Sequence, residues 1–405
     1  MTHVEHKREI LSRARRIVVK IGSSVLATAS GVNSEQIGRI SAELCALAEQ
    51  GFQVVVVTSG ARAAGLAHLG LTRIPKKIPE QQAAAAIGQI RLMALYERYF
   101  SDFGKHVGQV LLTADDLQDR TRYLNAQRTF DHLLRHGVVP IVNENDSVAI
   151  DELKFGDNDR LSALVAGLVG AELLVILTDV AGLYAGDPRS GDVPLVELVE
   201  DIDAHIASGV AGGAGSGVGT GGMASKLVAA RSAAHRGIAT VVASGMEPGI
   251  LARILHADDS AGTLFLPRST PMRSRKHWIA HGLPVHGTLV LDAGALDAVT
   301  RNGSSLLPAG IASVEGDFAR GDCVRCVDRA GREWARGLVA YDGDECRQIR
   351  GQASSRIEST LGYHESDEVI HRDDLAVLAD FADAGADGGS GADLYAEAAA
   401  AEKTR

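Results

Sequence analysis

The chain has 405 residues, of which 45% are hydrophobic and only 4% aromatic, and its formal net charge at pH 7 is -10. This length allows two domains, with enough apolar residues to bury a large core in the bigger one. The acidic balance argues against a protein whose whole surface holds nucleic acid. It leaves open the alternative that one basic groove on the surface binds nucleic acid. We therefore expect small-molecule partners.

The four cysteines, Cys45, Cys323, Cys326 and Cys346, are too few and too scattered for a secreted disulfide scaffold. Cys323 and Cys326 form a CxxC without a second CxxC or a His pair, and GDCVRCVD alternates like a half-buried strand, so we interpret both as structural. The N-terminus lacks the apolar segment of a signal peptide, and no window offers about 18 uninterrupted apolar residues. We expect a cytoplasmic protein that does not enter a membrane.

Short apolar runs, each followed by a turn and a helical pattern, recur along the first part of the chain. They predict strands at 16–21, 53–57, 107–112, 138–142, 173–177 and 240–243. The clearest helix is predicted from Ser34, a plausible cap, to Gln50, with Gly51 as its stop. This alternation predicts an α/β fold, with a mostly parallel sheet and helices on both of its faces.

The pattern changes after Pro267, where RSTPMRSRKHW combines proline, serine and positive charge. We predict a larger domain at 1–267, a linker at 268–280 and a smaller domain of short strands and glycine turns at 281–375. The segment 376–405 is rich in Ala, Gly and Asp and has almost no bulky apolar residue. We expect it to be a disordered tail, because it buries too little to offset its ordering entropy.

Ligands of α/β sheets bind at the carboxyl ends of the strands, and five such places carry unusual residues. In VVKIGSSVL, Lys20 lies near the end of a strand, and Gly22, Ser23 and Ser24 form a turn whose N–H groups could hold phosphate. This block is neither a Walker A loop nor a Rossmann GxGxxG. In VVVVTSGARAAG, Ser59 and Gly60 precede a helix whose N-terminus could face an anion, but a tight turn with a serine cap explains that block equally well.

A polar cluster follows the strand predicted at 138–142. Its members are Asn143, Glu144, Asn145, Asp146, Asp157, Asn158 and Asp159. Such a cluster beside a buried strand is costly unless it binds something, so we interpret it as a site for an amino group, Mg·ATP or both. The alternative is a solvated acidic loop in which Asn158 or Asp159 merely caps the next helix.

The last two blocks are LLVILTDVAGLY and GVGTGGMASKLVAA. Thr178 and Asp179 follow a core strand and suit a nucleotide base or ribose. Lys226 falls on the first turn of a helix, so its ammonium and backbone donors can converge on one phosphate. Three residues precede that helix: Thr220, Gly221 and Gly222. A flexible linker is the alternative for this stretch.

Taken in this order and spacing, the five blocks resemble the amino-acid kinase superfamily and, within it, the glutamate 5-kinases. NEND followed by KFGDND is the more selective signature. The segments GTLVLDAGA, SLLPAGI, GDFARGDCV, ARGLVAY and LGYHESDEVIHRDDL look like the small, mainly-β PUA domain of bacterial members. The resemblance thus implies a three-layer α/β/α kinase fold followed by a PUA domain.

PUA domains elsewhere bind RNA, but this one is acidic. Residues 281–375 contain no Lys, ten Arg and sixteen Asp or Glu, a net charge of -6. This is a poor electrostatic footprint for RNA, so we interpret the domain as regulatory or architectural.

The resemblance implies ATP-dependent phosphorylation of the side-chain carboxylate of L-glutamate, the first step of proline biosynthesis. A glutamate carboxylate has an ordinary pKa of about 4.3, so at neutral pH it is already a nucleophile that needs no general base. Lys20 and Lys226 would stabilise the transferring phosphoryl group, and Asp159 would orient both lysines. Mg²⁺ would bridge the phosphates with mostly water and phosphate ligands, and no metal ligand is assigned to the protein.

The resemblance also implies two sets of binding residues. For ATP they are Lys20, Gly22, Ser23, Thr178, Asp179, Thr220, Gly221, Gly222, Met223, Ala224, Ser225 and Lys226. For glutamate they are Ser59, Gly60, Ala61, Asn145, Asp146 and Asn158. Proline would inhibit near the loop 143–158, and a homo-oligomer and coupling to a glutamyl-phosphate reductase are further expectations.

Two alternatives stay open. One is another enzyme of the superfamily, acting on N-acetylglutamate, aspartate, carbamate or a nucleoside monophosphate; NEND, KFGDND and the PUA-like region weigh against it. The other is an RNA-binding protein whose kinase-like domain is only a scaffold. The presence of Lys20, Asp159 and Lys226 weighs against that reading.

Overall fold

A computed structural model describes residues 3–28, 31–71, 73–149, 157–186, 193–207, 222–258, 260–268, 275–276 and 278–378. Contacts divide the chain into two compact units, Met1–Pro271 and Met272–Arg405. Most of the predicted tail, from residue 379 on, lies outside the described residues, as do residues 269–274 and 277 of the predicted linker.

The first unit is built on an eight-stranded sheet. The strands described in this unit are β1 (Arg16–Ile21), β2 (Ala27–Thr28), β3 (Gly31–Val32), β4 (Gln53–Thr58), β5 (Val107–Leu112), β6 (Val139–Glu144), β7 (Leu173–Thr178), β8 (Leu198–Val199), β9 (Ala239–Ser244) and β10 (Thr263–Phe265). Strands β2 and β3 form a separate hairpin, and the other eight form the sheet. The sheet order is β5-β6-β4-β1-β7-β9-β10-β8. Neighbours are parallel except for the antiparallel pair β9 and β10. The six predicted strands are confirmed, with ends displaced by at most two residues.

The helices of this unit fill the connections between strands. They are α1 (His3–Arg13), α2 (Ser23–Leu26), α3 (Ser34–Glu49), α4 (Ala61–His68), α5 (Ile78–Ser101), α6 (Arg120–Arg135), α7 (Asp157–Leu168), α8 (Ile202–Ala207), α9 (Gly222–His235) and α10 (Ile250–Leu255). The predicted cap of α3 is wrong. Asn33 is the N-cap, because its extended backbone lets its side chain accept from the backbone N–H of Gln36, whereas the hydroxyl of Ser34 bonds to Tyr99.

Both faces of the large sheet are buried. In β4, Val54 and Val56 belong to one apolar core, and Val55 and Val57 to another. Because successive side chains of a strand point to opposite faces, these cores lie on the two sides of the sheet. Helices α3, α5 and α10 contribute to the first core, and α6, α7 and α9 to the second. The three-layer α/β/α architecture is therefore confirmed.

The second unit is a mainly-β domain with its own core. Its sheet has the order β12-β11-β13-β14-β15, with β11 (Val285–Leu291), β12 (Ile311–Gly316), β13 (Cys323–Val327), β14 (Glu333–Leu338) and β15 (Leu375–Val377). Its helices are α11 (Ala293–Asn302), α12 (Gly343–Ile349) and α13 (Ile357–Leu361). Ala376 and Val377, assigned to the tail from the sequence, belong to β15 and are buried.

The strand that contains the CxxC is more buried than its alternation suggests. In β13 only Arg325 is exposed. Cys326 packs into the main core of the unit, and Cys323 packs on the opposite face against the segment Trp278–Gly282. Burial raises the pKa of the Cys326 thiol to about 12. The half-buried strand was thus a wrong expectation, because this segment covers the second face.

Candidate active site

The carboxyl ends of four neighbouring parallel strands meet at one edge of the large sheet. The strands β6, β4, β1 and β7 are adjacent in that order. They end at or next to Asn143, Ser59, Gly22 and Thr178. Because parallel strands present their carboxyl ends on the same side, the sequence blocks converge here.

Two lysines share one buried carboxylate at this edge. Lys20 Nζ lies 2.5 Å from Asp159 Oδ1, and Lys226 Nζ lies 3.4 Å from Asp159 Oδ2. The hydroxyl of Ser225 donates to the same Oδ2 at 2.6 Å. Asp159 is only 1% exposed, so it does not belong to a solvated acidic loop. The structure therefore joins β1, the first turn of α7 and the first turns of α9 in one charged centre.

Burial and charge act against each other in this centre. Burial lowers the pKa of Lys20 below its ordinary value, and the neighbouring Asp159 only partly offsets this. Burial alone would raise the pKa of Asp159, but the charges of Lys20 and Lys226 hold it below its usual range. Asp159 is therefore ionised at neutral pH, as a counter-ion for the two ammonium groups.

The turn after β1 leaves little space for a side chain at Gly22. The N–H of Gly22 donates to Leu177 O at 3.0 Å, and a Cβ at this position would lie 3.1 Å from that oxygen and 3.5 Å from Lys20 Nζ. Ser23 begins the next helix and is exposed. A small, polar and partly open turn beside an ammonium group suits a phosphate.

The N-terminus of α9 lies at the same centre. Lys226 Nζ donates to Gly222 O at 2.8 Å, which folds the lysine back along the first turn. Met223 is half-buried, and Ala224 is exposed. The predicted ATP-binding residues Thr220 and Gly221 lie outside the described residues.

Asp179 connects the turn after β7 with α2. Its Oδ1 accepts hydrogen bonds from Thr178 Oγ1 and Ser24 Oγ, both at 3.0 Å. Partial burial would raise the pKa of Asp179, but these hydroxyls, its own N–H and the charge of Lys226 hold it below the ordinary value. These hydrogen bonds, one of which comes from Ser24, hold Thr178 and Asp179 next to the charged centre.

The predicted glutamate-binding residues begin beside α7. Asn158 Nδ2 donates to Ser59 Oγ at 3.1 Å, so these two residues lie together. Gly60 follows with a φ of 102°, a conformation that favours glycine, and Ala61 is buried at the start of α4. Ser59 and Gly60 form the turn between β4 and α4, and Asn158 reaches this turn from α7.

The other two residues predicted to bind glutamate lie in the turn after β6. The N–H of Asn145 donates to Leu112 O at the end of β5, at 2.9 Å, and Asp146 is half-buried. Residues 150–156, which include the first half of the KFGDND signature, lie outside the described residues. The structure therefore unites Asn158 with Ser59 and places Asn145 and Asp146 on the neighbouring strand end.

Comparisons with known proteins agree with this arrangement. The amino acid kinase family model matches residues 15–244, and the PUA domain model matches residues 287–361. The chain belongs to the amino acid kinase family. It is 50% identical over 374 residues to a glutamate 5-kinase of Pelobacter propionicus, across 92% of this chain and 100% of the relative. A glutamate 5-kinase of Geobacter sulfurreducens is 51% identical over 371 residues, 91% of this chain and 99% of its own.

The expected resemblance, the kinase fold and the PUA domain are confirmed by these matches, and the chain is an enzyme of the glutamate 5-kinase group. Among solved structures, the UMP kinase of Bacillus anthracis aligns with a TM-score of 0.45 at 17% identity, over 63% of this chain and 97% of its own. This distant likeness carries no argument about the substrate.

Several residues of the kinase site were not assigned from the sequence. Asn143 was counted in the polar cluster but received no role of its own, although its Oδ1 accepts from Asn158 Nδ2 at 3.2 Å. Gln89 on α5 accepts from Asn143 Nδ2, and only its isolated polarity in AAAAIGQI could have drawn attention. Ser24, the second serine of the GSS turn, was expected to offer only its backbone N–H, whereas its hydroxyl donates to Asp179.

Two absences concern only the part of the chain that the structure describes. No group of three or more His, Cys, Asp or Glu side chains in this part is placed to hold a metal ion. None of the helices in these ranges combines the length and the apolar character needed to cross a membrane.

Proposed function

We propose that this kinase transfers the terminal phosphoryl group of ATP to the side-chain carboxylate of L-glutamate. One observation carries the proposal. Two successive residues of α7 reach different parts of the site, Asn158 to Ser59 and Asp159 to the two lysines. A single helical turn thereby connects a polar pocket suited to an amino acid with a cationic centre suited to phosphate.

The cationic centre matches phosphoryl transfer to a carboxylate. The nucleophile is already ionised at neutral pH, so the site needs charge stabilisation rather than a base. Charge spreads over the equatorial oxygens of the phosphoryl group in a loose transition state. Lys20 would lie between the attacking carboxylate and this group, and Lys226 nearer the leaving β-phosphate. Asp159 would hold both ammonium groups in place.

The remaining nucleotide contacts would come from the turns beside this centre. Gly22, Ser23 and the start of α9, including Gly222, offer backbone donors to the phosphates. Thr178 and Asp179 would contact the nucleoside. Mg²⁺, when bound with ATP, supplies positive charge that offsets the phosphate oxygens, held by phosphate and water more than by the protein.

The amide pocket matches the α-carbon end of glutamate. Asn158 Oδ1 is buried without a hydrogen-bond partner among the described residues and can accept from an α-ammonium group. Asp146, on the adjacent turn, would add a negative charge. The backbone donors of Gly60 and Ala61, at the start of α4, suit the α-carboxylate.

The wider role follows from the reaction. An acyl phosphate is labile, so a glutamyl-phosphate reductase would consume it in proline biosynthesis. We also propose that the enzyme forms a homo-oligomer.

Proline carries the α-carboxylate and a charged amine, and would compete with glutamate at Ser59 and Asn158. Proline at millimolar concentration should raise the KM for glutamate, and unchanged kinetics would contradict this part.

The reaction is tested by ATP turnover with L-glutamate, N-acetylglutamate, L-aspartate or no acceptor, with hydroxylamine to trap an acyl phosphate. We expect hydroxamate from L-glutamate alone. Lys226→Ala should abolish it, whereas Lys77→Ala, which changes an exposed lysine outside the site, should not. Turnover with a different acceptor would replace glutamate in the proposal.

A further inference from the structure

Three amide side chains form a hydrogen-bonded chain that begins at the amino-acid pocket. Asn158 Nδ2 donates to Ser59 Oγ and, at 3.2 Å, to Asn143 Oδ1. Asn143 Nδ2 donates to Gln89 Oε1 at 2.8 Å. Asn143 is 2% exposed and Gln89 is 9% exposed. The chain therefore runs from the pocket into the protein and ends on α5.

A backbone group sets the direction of this chain. The N–H of Glu144 donates to Asn143 Oδ1 at 2.9 Å. Because a peptide N–H can only donate, the oxygen of the Asn143 amide has to face it, and the NH₂ group has to face Gln89. Gln89 must then present its oxygen. The shared oxygen of Asn143 likewise requires the NH₂ group of Asn158.

The last amide of the chain is left with an oxygen to offer. Asn158 Oδ1 is buried and has no hydrogen-bond partner in the described ranges. Gln89 Nε2, at the other end, is in the same situation. A buried acceptor without a donor is unfavourable, so Asn158 Oδ1 is suited to accept from a ligand. An α-ammonium group, which only donates, fits it.

We infer that Gln89 is a positioning residue for amino-acid binding, acting through Asn143 to keep Asn158 Oδ1 towards the α-ammonium group. The inference rests on the proposed function, because it assumes an amino acid at Ser59. Gln89 itself touches neither substrate. Its oxygen holds the NH₂ group of Asn143, and without it the amides lose their common direction.

The first test is Gln89→Met, which has a similar volume but no amide. We expect the KM for L-glutamate to rise about tenfold, in line with one weakened hydrogen bond to a charged group. The kcat and the KM for ATP should change by less than about twofold, because Lys20 and Lys226 are untouched. Gln127→Met is the matched control: Gln127 lies on α6 and bonds to Leu168 O at 3.3 Å, so its kinetics should equal those of the wild type.

A second readout separates positioning from general loosening. Glutarate lacks the α-amino group, so its inhibition constant against glutamate should be the same in Gln89→Met and wild type. Gln89→Glu keeps an acceptor oxygen for Asn143 and should recover most of the lost affinity. Adding Gln89→Met to Asn158→Ala should raise the KM no further, since both act on the same contact.

Two outcomes would overturn the inference: an unchanged KM for glutamate in folded Gln89→Met, or a parallel weakening of glutarate. Gln89→Asn, which withdraws the amide from Asn143 by one methylene but keeps a polar group, should give the same rise in KM and replaces Gln89→Met if that variant does not fold. Wild-type protein that forms no hydroxamate from L-glutamate would instead overturn the proposed function, so the two failures are distinguishable.

Discussion

Asp159 is shared by two ammonium groups, and its removal should affect both. Asp159→Asn leaves Lys20 and Lys226 buried without their counter-ion, so we expect kcat to fall by about 10²- to 10³-fold, as for other losses of preorganised charge at a reacting centre. The hydroxamate assay measures this. Asp116→Asn is the control, because Asp116 pairs with Arg122 outside the site. Near-normal turnover in Asp159→Asn would contradict the orienting role.

The depressed pKa of Lys20 predicts an alkaline limit to activity. In the proposed mechanism Lys20 stabilises phosphate only while protonated, so kcat/KM for ATP should fall as pH rises through its pKa, with a midpoint below the ordinary lysine value of about 10.4. Bound phosphates favour the charged lysine, so the limb in kcat should lie at higher pH than the limb in kcat/KM.

Lys20→Arg provides the comparison for that profile. A guanidinium group stays charged throughout the accessible range, so whatever activity remains should lose the alkaline limb. A limb that persists unchanged in Lys20→Arg would assign it to another group.

Helices α4 and α5 pack so closely that glycine is required at their contact. A Cβ at Gly88 would lie 1.7 Å from Ala61 O, and a Cβ at Gly65 would lie 1.7 Å from Ala84 O. Both clashes are with backbone, so a larger residue has to move a helix. Because Ala61 follows Ser59 and Gly60, this contact sets the position of the pocket turn.

Gly88→Ala should therefore displace α4 and weaken binding of glutamate more than binding of ATP. Overpacking of this kind destabilises by about 1–3 kcal/mol, measurable as a lowered midpoint in urea. Gly167→Ala, in α7, meets only the flexible side chain of Arg236 and is the control. Equal increases in both KM values would show that the contact does not act on the pocket.

Each of the two units has its own apolar core, and all the proposed site residues belong to the first. A chain that ends at Pro271 should therefore fold and keep its kcat within a few-fold of the full-length value. Circular dichroism and the hydroxamate assay test this together. A folded fragment without activity would show that the second unit contributes to catalysis.

The charge of the second unit argues against RNA as its partner. Many of its arginines are paired with carboxylates of the same unit: Arg275 with Asp374, Arg301 with Asp297, Arg320 with Glu365, Arg336 with Glu333, Arg347 with Asp344, and Arg372 with Asp373. The full chain should not shift structured RNA in a gel at about 150 mM salt, since that binding depends on unpaired positive charge. A specific shift would restore the RNA-binding alternative.

The elements with strong local signals were readable from the sequence. Apolar runs of about six residues, each followed by a turn, predicted the central strands, because burial on both faces requires such a run. The short strands β8 and β10, of two and three residues, were missed because so few residues cannot show a regular alternation of apolar and polar side chains. The cap of α3 was misplaced by one residue because Asn33 and Ser34 are both good caps and only backbone geometry separates them.

The sequence by itself determined the family, through the order of its motif blocks. Each block consists of neighbouring residues at a strand end, so it can be recognised without knowing how distant segments pack. Tertiary structure alone decided which polar groups meet. The strand order places β6, β4, β1 and β7 side by side, and this brings Asn158 to Asn143 and Gln89. The isolated polarity of Gln89 does not show which residue it bonds to, because a single buried glutamine acquires its partner only when α5 packs against the sheet. Contacts between distant segments depend on the whole fold, whereas motifs depend on a few neighbours.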